Sequence, residues 1–195
     1  ADLLQGPYDQ AAVENRNDLI VFETEALNEA IRIKGAPSVD LYVSSDRKDT
    51  DFAIRVTDVF PDGRSILILD GIRRMRFREG YMAEDSSLMQ PGMIYQALIE
   101  LPPIAYTIQS GHKLRVDISS ANYPRFDVNL NNGGAMYEPG DTLIALNTVH
   151  FGQSHPSEVI IPVSVEATAV IPNRANAGLL VYPNPCDKFL TIKES

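Results

Sequence analysis

The side chains that could attack a bond, move a proton or hold an ion fall into a few groups along the sequence. Two serines follow a glycine at elbow-like spacing, in Gly63-Arg64-Ser65-Ile66-Leu67 and Gly152-Gln153-Ser154-His155-Pro156. A nucleophile elbow needs small residues on both sides of its serine, because the strained strand-to-helix turn leaves no room for side chains. The first segment lacks the second glycine and falls where a hairpin turn is expected, and the second has Pro156 in that place with no helix after it. Both serines therefore read as turn hydroxyls that bond nearby backbone. Three histidines could in principle supply a base. His112 follows Gly111 in a turn and His155 precedes Pro156, so both read as exposed loop residues, while His150 ends an apolar run and reads as a strand-end residue. No catalytic residue is assigned.

Oxygen ligands are the next group. Asp127, Asn129, Asn131 and Glu138 stand at positions one, three, five and twelve of a calcium-loop pattern. However, Asn132 stands where that loop requires glycine, and Pro124 and Pro139 exclude the flanking helices. The expectation is structural: side chains that tie down a long connection by bonding its backbone. Asp46, Asp49 and Asp51 read as a solvated hairpin end. The basic concentration is Arg73-Arg74-Met75-Arg76-Phe77-Arg78; if extended, it puts Arg74, Arg76 and Arg78 on one face. Three guanidinium groups in a row repel unless carboxylates or phosphates lie opposite, so their partners are sought among acids of this chain or of an adjoining domain. No cofactor is expected.

Composition narrows the classes. The chain has 195 residues, and 17 Lys plus Arg against 26 Asp plus Glu give 17 − 26 = −9 at pH 7. That balance argues against a nucleic-acid binder. With 44% hydrophobic and 22% charged residues the chain is an ordinary globular one, long enough for a full core. A single cysteine, Cys186, excludes an intramolecular disulfide and a cysteine zinc cluster. No apolar run approaches the roughly 18 residues of a membrane helix. The sequence opens Ala1-Asp2-Leu3-Leu4-Gln5, without an initiator Met or a signal peptide, and reads as a piece of something longer.

The elements that must position these groups are strands. Val39, Leu41 and Val43 alternate with polar neighbours, as do Phe52, Ile54 and Val56, and Pro61-Asp62-Gly63 marks a turn between that strand and the next, at 66–69. Further strands are expected at 93–101, 113–118, 143–149 and 159–165; only 24–32 is rich in helix formers. Many strands and few helices predict an all-β fold, an antiparallel β-sandwich, and the long connection over 121–140 suits a jelly roll. The expected organisation is a sandwich over 1–166, a Pro, Asn and Ala linker over 167–177 and a separate tail over 178–195.

Several long segments in one order carry a resemblance: GPYDQ at 6–10, VFETEAL at 21–27, the stretch from Leu41 to Gly80 containing VTDVFPDGRSILILDGIRRMRFREG, GHKLRVDISSANYPRFDVNLNNG at 111–133, and HPSEVIIPV at 155–163. They resemble the C-terminal non-catalytic domain of the X-prolyl dipeptidyl-peptidase, cocaine-esterase and α-amino-acid-ester-hydrolase group of serine hydrolases. The likeness implies a galactose-binding-like jelly roll packed against an upstream α/β-hydrolase domain that holds the Ser, His and Asp triad. It also implies an interface, for which Tyr8 is a candidate aromatic anchor and Arg74, Arg76 and Arg78 are candidate carboxylate partners. The rival expectation is a free-standing carbohydrate-binding or adhesion module, lowered by the absence of Trp.

In the tail, Val181-Tyr182-Pro183-Asn184-Pro185 followed by Phe189-Leu190-Thr191-Ile192 resembles the start of the C-terminal sorting domain that Bacteroidetes bacteria export through the type IX secretion machinery. That resemblance implies a parent protein that crosses the periplasm and is secreted or held at the cell surface.

Overall fold

The computed structural model describes residues 7–164 and 188–192. One sheet contains β1 (Ile20–Glu23), β4 (Asp51–Val59), β5 (Ser65–Arg74) and β8 (Lys113–Ser119), in the order β1-β8-β4-β5, all pairs antiparallel. The other contains β2 (Ile31–Gly35), β3 (Ser38–Ser45), β6 (Tyr95–Glu100), β7 (Ile104–Ile108), β9 (Asn147–His150), β10 (Glu158–Ser164) and β11 (Lys188–Ile192). Its path is β6-β3-β10-β2-β7, with β9 on β3 and β11 on β10. The two antiparallel sheets pack face to face as a sandwich of the jelly-roll type. The one α-helix among the described residues is α1 (Ala11–Glu14), and none there is long and apolar enough to cross a membrane.

The second sheet is built from bent lines. A strand has two edges, and β11 occupies one edge of β10, so β2 and β3 share the other. They continue one another across Gly35-Ala36-Pro37, and β6 and β7 continue one another beside them across Pro102-Pro103. Proline has no N–H for the ladder, so each line breaks there. The Leu101 N–H still donates to the Pro37 carbonyl at 2.9 Å, holding the two breaks in step.

The inner faces follow the alternation in the sequence. Val39, Leu41 and Val43 from one sheet meet Phe52, Ile54, Val56, Leu114 and Val116 from the other, all buried. Each such side chain contributes about 1.5–3 kcal/mol by leaving water. The hairpin at Pro61-Asp62-Gly63 is present, with Gly63 at φ +90°, a conformation that glycine adopts without strain. Other expectations are revised. The run 24–32 forms no helix, and its end becomes β2. The strand expected over 143–149 starts only at Asn147, because the Leu143 and Leu146 N–H groups donate to Leu130 O and Asp46 Oδ1 rather than to a strand.

Candidate functional site

The arginine run lies at one end of the sandwich, and it is not one extended strand. β5 stops at Arg74, and Met75–Phe77 wind into a single 3-10 turn that buries Met75 completely. The Met75 N–H donates to Thr50 O at 2.9 Å, which seats this turn on the β3–β4 connection. Asp49 and Asp51, expected in solvent, are instead fully buried and paired. Arg74 donates from Nε and Nη2 to the two oxygens of its cross-strand neighbour Asp51 (2.9 and 3.0 Å), a bidentate fork. Arg76 donates from Nε to Asp49 Oδ2 (2.6 Å), and its backbone N–H donates to Oδ1 (3.0 Å). Arg78 donates to the Met75 and Ser87 carbonyls (2.9 and 2.6 Å) and stacks 4.4 Å from the centre of the Tyr95 ring. The arginine partners are thus groups of this domain. Burial raises the Asp51 carboxyl above its usual range, outweighing the Arg74 and Asn129 hydrogen bonds, while the bond to Asp51 holds Arg74 charged.

The connection from β8 to β9 closes over this seam. Asp127 gives its carbonyl to Arg74 Nη2 (3.2 Å), and Asn129 Nδ2 donates to Asp51 Oδ1 (2.7 Å). Asn129 Oδ1 accepts the Asn131 N–H (2.9 Å), and Asn131 Nδ2 donates to Leu143 O (2.9 Å). The two asparagines of the calcium-like spacing thus tie loop backbone, with Asn131 in the left-handed region that asparagine tolerates (φ +60°). Asp127 and Glu138 are exposed, and among the described residues no three His, Cys, Asp or Glu side chains group to hold a metal. Phe77, Phe126, Met136 and Tyr137 line an open cleft of about 230 Å³ beside Arg74. Tyr8, 43% exposed, is elsewhere: its carbonyl accepts the Leu67 N–H near the start of β5, toward the opposite end of the sandwich.

Hydroxyls and imidazoles are present but not assembled. Ser65 opens β5 rather than lying in a turn; it is fully buried, with Oγ 2.5 Å from Glu14 Oε1 and 2.8 Å from Thr57 Oγ1. His112 is not an exposed loop residue: its Nδ1 lies 2.8 Å from Asp58 Oδ1, and its ring packs on Phe60. The Tyr106 hydroxyl donates to the same Asp58, and burial together with that carboxylate pushes the phenol up to about 12. His150 Nε2 lies 2.8 Å from Ser44 Oγ, and His155 packs its ring against both His150 and Tyr42. So the serine with a histidine lacks a carboxylate, and the histidine with a carboxylate lacks a serine. Acyl transfer needs all three joined, with an oxyanion site beside them.

A buried polar layer on the outer face of the four-stranded sheet was not foreseen. Arg55, Thr57, Ser65 and Asp117 point outward by strand alternation, yet all are buried, with α1 delivering Glu14 among them. Asp9 anchors that segment by accepting the Ala11 and Ser65 N–H groups, and these bonds lower its carboxyl pKa. Arg115 reaches both Glu14 and Glu23. Asp117 has no hydrogen-bond donor on either oxygen, and Arg55 Nε and Nη2 are likewise unpartnered. Burial, with Glu14 adding to it, pushes the Asp117 carboxyl up to about 7 against the pull of Arg55 and Arg115. In sequence, Lys113-Leu114-Arg115-Val116-Asp117 reads as an ordinary half-wet strand, so only the position of Glu14 in space reveals the layer.

Residues 2–160 match the family described as the X-Pro dipeptidyl-peptidase C-terminal non-catalytic domain. The chain belongs to that family. Within it the domain accompanies an α/β-hydrolase catalytic domain, which is not part of this chain. The cocaine esterase of Rhodococcus sp. (strain MB1 Bresler) is 38% identical over 160 residues, 81% of this chain and 28% of that protein. A putative serine esterase of Mycobacterium bovis is 26% identical over 125 residues, 56% of this chain and 20% of its own length. Among solved structures, an aminopeptidase from a marine sediment Thaumarchaeota archaeon superposes with a TM-score of 0.75 at 26% identity, covering 82% of this chain and 28% of that one. An α-amino acid ester hydrolase gives 0.75 at 28% identity, covering 81% and 27%. The chain thus spans less than a third of these relatives.

Proposed function

We propose that this non-catalytic jelly roll serves a secreted α/β-hydrolase-type serine hydrolase that cleaves peptide, ester or amide bonds. Its work is to stabilise the catalytic domain and to wall one side of the substrate pocket. The observation that carries this reading is the family match over 2–160, together with relatives named an esterase, an aminopeptidase and an amino acid ester hydrolase. Binding sites commonly form between domains, so a module of this kind shapes access and specificity without touching the bond that breaks. The test is expression of the parent hydrolase with and without this domain. Loss of thermal stability and a change in kcat/KM on removing it support the reading; a catalytic domain equally stable and equally selective alone refutes it.

Export rests on the tail. The Tyr182-Pro183-Asn184-Pro185 sequence and the apolar residues that follow it support type IX sorting; of this tail, the structure describes Lys188–Ile192, which pairs with β10 as β11. The linker expected over 167–177 lies outside the described residues. Deleting 178–195 should leave the parent protein inside the periplasm; undiminished secretion without those residues would count against this route.

A further inference from the structure

Exposed large apolar side chains are concentrated at one end of this domain. Of fifteen such side chains among the described residues, eleven lie in two connections, 75–94 and 121–146, among them Tyr81, Met82, Tyr123, Tyr137, Ile144 and Leu146. Ile144 is 89% exposed and Tyr137 82%. Both connections are fastened to the same β3–β4 turn. The Met89 and Gly92 N–H groups donate to Lys48 O and Ser45 O (both 2.8 Å). From the other connection, the Leu146 N–H donates to Asp46 Oδ1 (2.8 Å), and Arg47 Nε donates to Ile144 O (2.6 Å). The connections also approach each other directly, with Gly133 facing Leu88 and Lys48. Most of the apolar groups therefore gather at one end of the sandwich, with Tyr123 beside it, where Asn122 and Arg125 donate to Asp70 of β5.

Tyr137 strengthens this reading. It is held at φ +66°, a region that an aromatic residue rarely adopts, and its ring is presented to solvent. Backbone strain of that kind persists where surrounding contacts fix it, and it gathers at binding positions. The charge around the patch is net acidic: Asp46, Glu79, Glu84, Asp127, Glu138 and Asp141 are exposed there against Lys48 and Arg125, with Asp46 and Glu79 paired to Arg47 and Arg78. A second copy of the same face would bring carboxylates onto carboxylates, which disfavours self-pairing. A partner with apolar pockets and a basic rim fits.

We propose that this end, formed by 75–94 and 121–146, is the face on which the α/β-hydrolase catalytic domain docks, with Tyr123, Tyr137, Ile144 and Leu146 as its apolar anchors. This rests on the proposed function above and locates its interface. It places the contact at the far end from Tyr8, and it gives Arg74, Arg76 and Arg78 the task of holding the two connections rather than touching the partner.

The test is hydroxyl-radical footprinting of the 195-residue chain against the full-length protein that joins it to its hydrolase domain. Side chains passing from largely exposed to the core of an interface should lose about fivefold in oxidation at Met82, Tyr123 and Tyr137, with Tyr8 unchanged. In parallel, Ile144→Glu should leave the unfolding of the 195-residue chain unchanged and lower the thermal stability of the full-length enzyme. Equal oxidation of those residues in both proteins, with a hydrolase domain present, overturns the docking face and leaves the proposed function standing. A parent without any hydrolase domain overturns both. Protection in the 195-residue chain that is lost on dilution assigns the face to a second copy and also overturns the proposal.

Discussion

Replacing Asp117 by asparagine isolates one proton in the buried layer between α1 and the four-stranded sheet. The carboxyl is 1% exposed and takes no hydrogen bond from either neighbouring arginine, while the Glu14 carboxyl from α1 faces it together with Arg55 of β4 and Arg115 of its own strand. Its pKa rises from 3.8 to about 7, so the folded protein keeps a proton that the unfolded chain has already lost. A raised folded value means that the stability tied to this proton is fully present below the unfolded pKa and is lost as pH rises through the folded one. Roughly three pH units at about 1.4 kcal/mol each amount to a loss on the order of 4 kcal/mol between about pH 4 and 7. Asparagine carries no charge at either pH and keeps the shape. The variant minus the parent in urea-unfolding free energy should therefore grow by roughly 3 kcal/mol between about pH 5 and pH 8, with the m-value unchanged. The lowered carboxyls of Asp9, Asp18 and Glu23 are common to both proteins and cancel, whereas Glu14 faces Asp117, so the difference reports the proton that this pair of carboxyls holds. A difference that stays flat across this range would show that Asp117 titrates like a solvated acid and that the layer is wet.

Further outcomes follow from the same structure. Asp49→Ala should cost about 3–5 kcal/mol in chemical unfolding, because it leaves the Arg76 guanidinium buried without its partner. Asp62→Ala, which removes an exposed pair with Arg64 and a turn bond from the Arg64 N–H, should lower stability far less than Asp49→Ala in the same assay. Gly71→Ala should cost about 1–3 kcal/mol, since a Cβ there would stand 2.5 Å from Leu101 Cδ2 inside the packed core. The 195-residue chain should hydrolyse neither p-nitrophenyl esters nor Xaa-Pro amides; labelling of a serine by a fluorophosphonate probe, abolished by mild denaturant, would contradict the separation of Ser44–His150 from Asp58–His112.

What the sequence made legible is what a period of two can report. Val39, Leu41 and Val43 declare a buried face because one side of the strand is apolar, and the sheets form on those faces. The outer side of β4 was less readable. Asp51, Arg55 and Thr57 look like a solvated face, and they are buried because segments distant in sequence fold over them: Glu14 from α1 and Asn129 from the β8–β9 connection. No local pattern encodes a partner 43 or 78 residues away. The arginine run is hard to read for a different reason. Alternation puts Arg74, Arg76 and Arg78 on one face only if the strand continues past Arg74, and the pull of Asp49 on both the backbone and the side chain of Arg76 favours a turn instead. Likewise the apolar run at 143–146 read as a strand, since sequence alone does not distinguish apolar residues that face a core from those displayed at the surface.

The buried ion pairs and the exposed apolar end are two parts of one arrangement. A connection as long as 121–146 with no strand or helix of its own carries a large conformational entropy, and left loose it would have to be ordered at the moment of docking. Here the ordering is done beforehand. Asp51 binds Arg74 and Asn129 together, Arg74 takes the Asp127 carbonyl, Asn131 closes onto Leu143, and Arg47 fixes Ile144. Buried ion pairs are a weak source of net stability, because desolvation consumes most of their attraction, and a hydrophobic seam would stabilise the fold as well. A hydrophobic seam would not, however, present hydrogen-bond partners to loop backbone at fixed points. The charges in this seam are therefore better explained by the loops they hold rigid than by the fold they stabilise, and the rigid loops are those that carry Tyr123, Tyr137 and Ile144 into solvent.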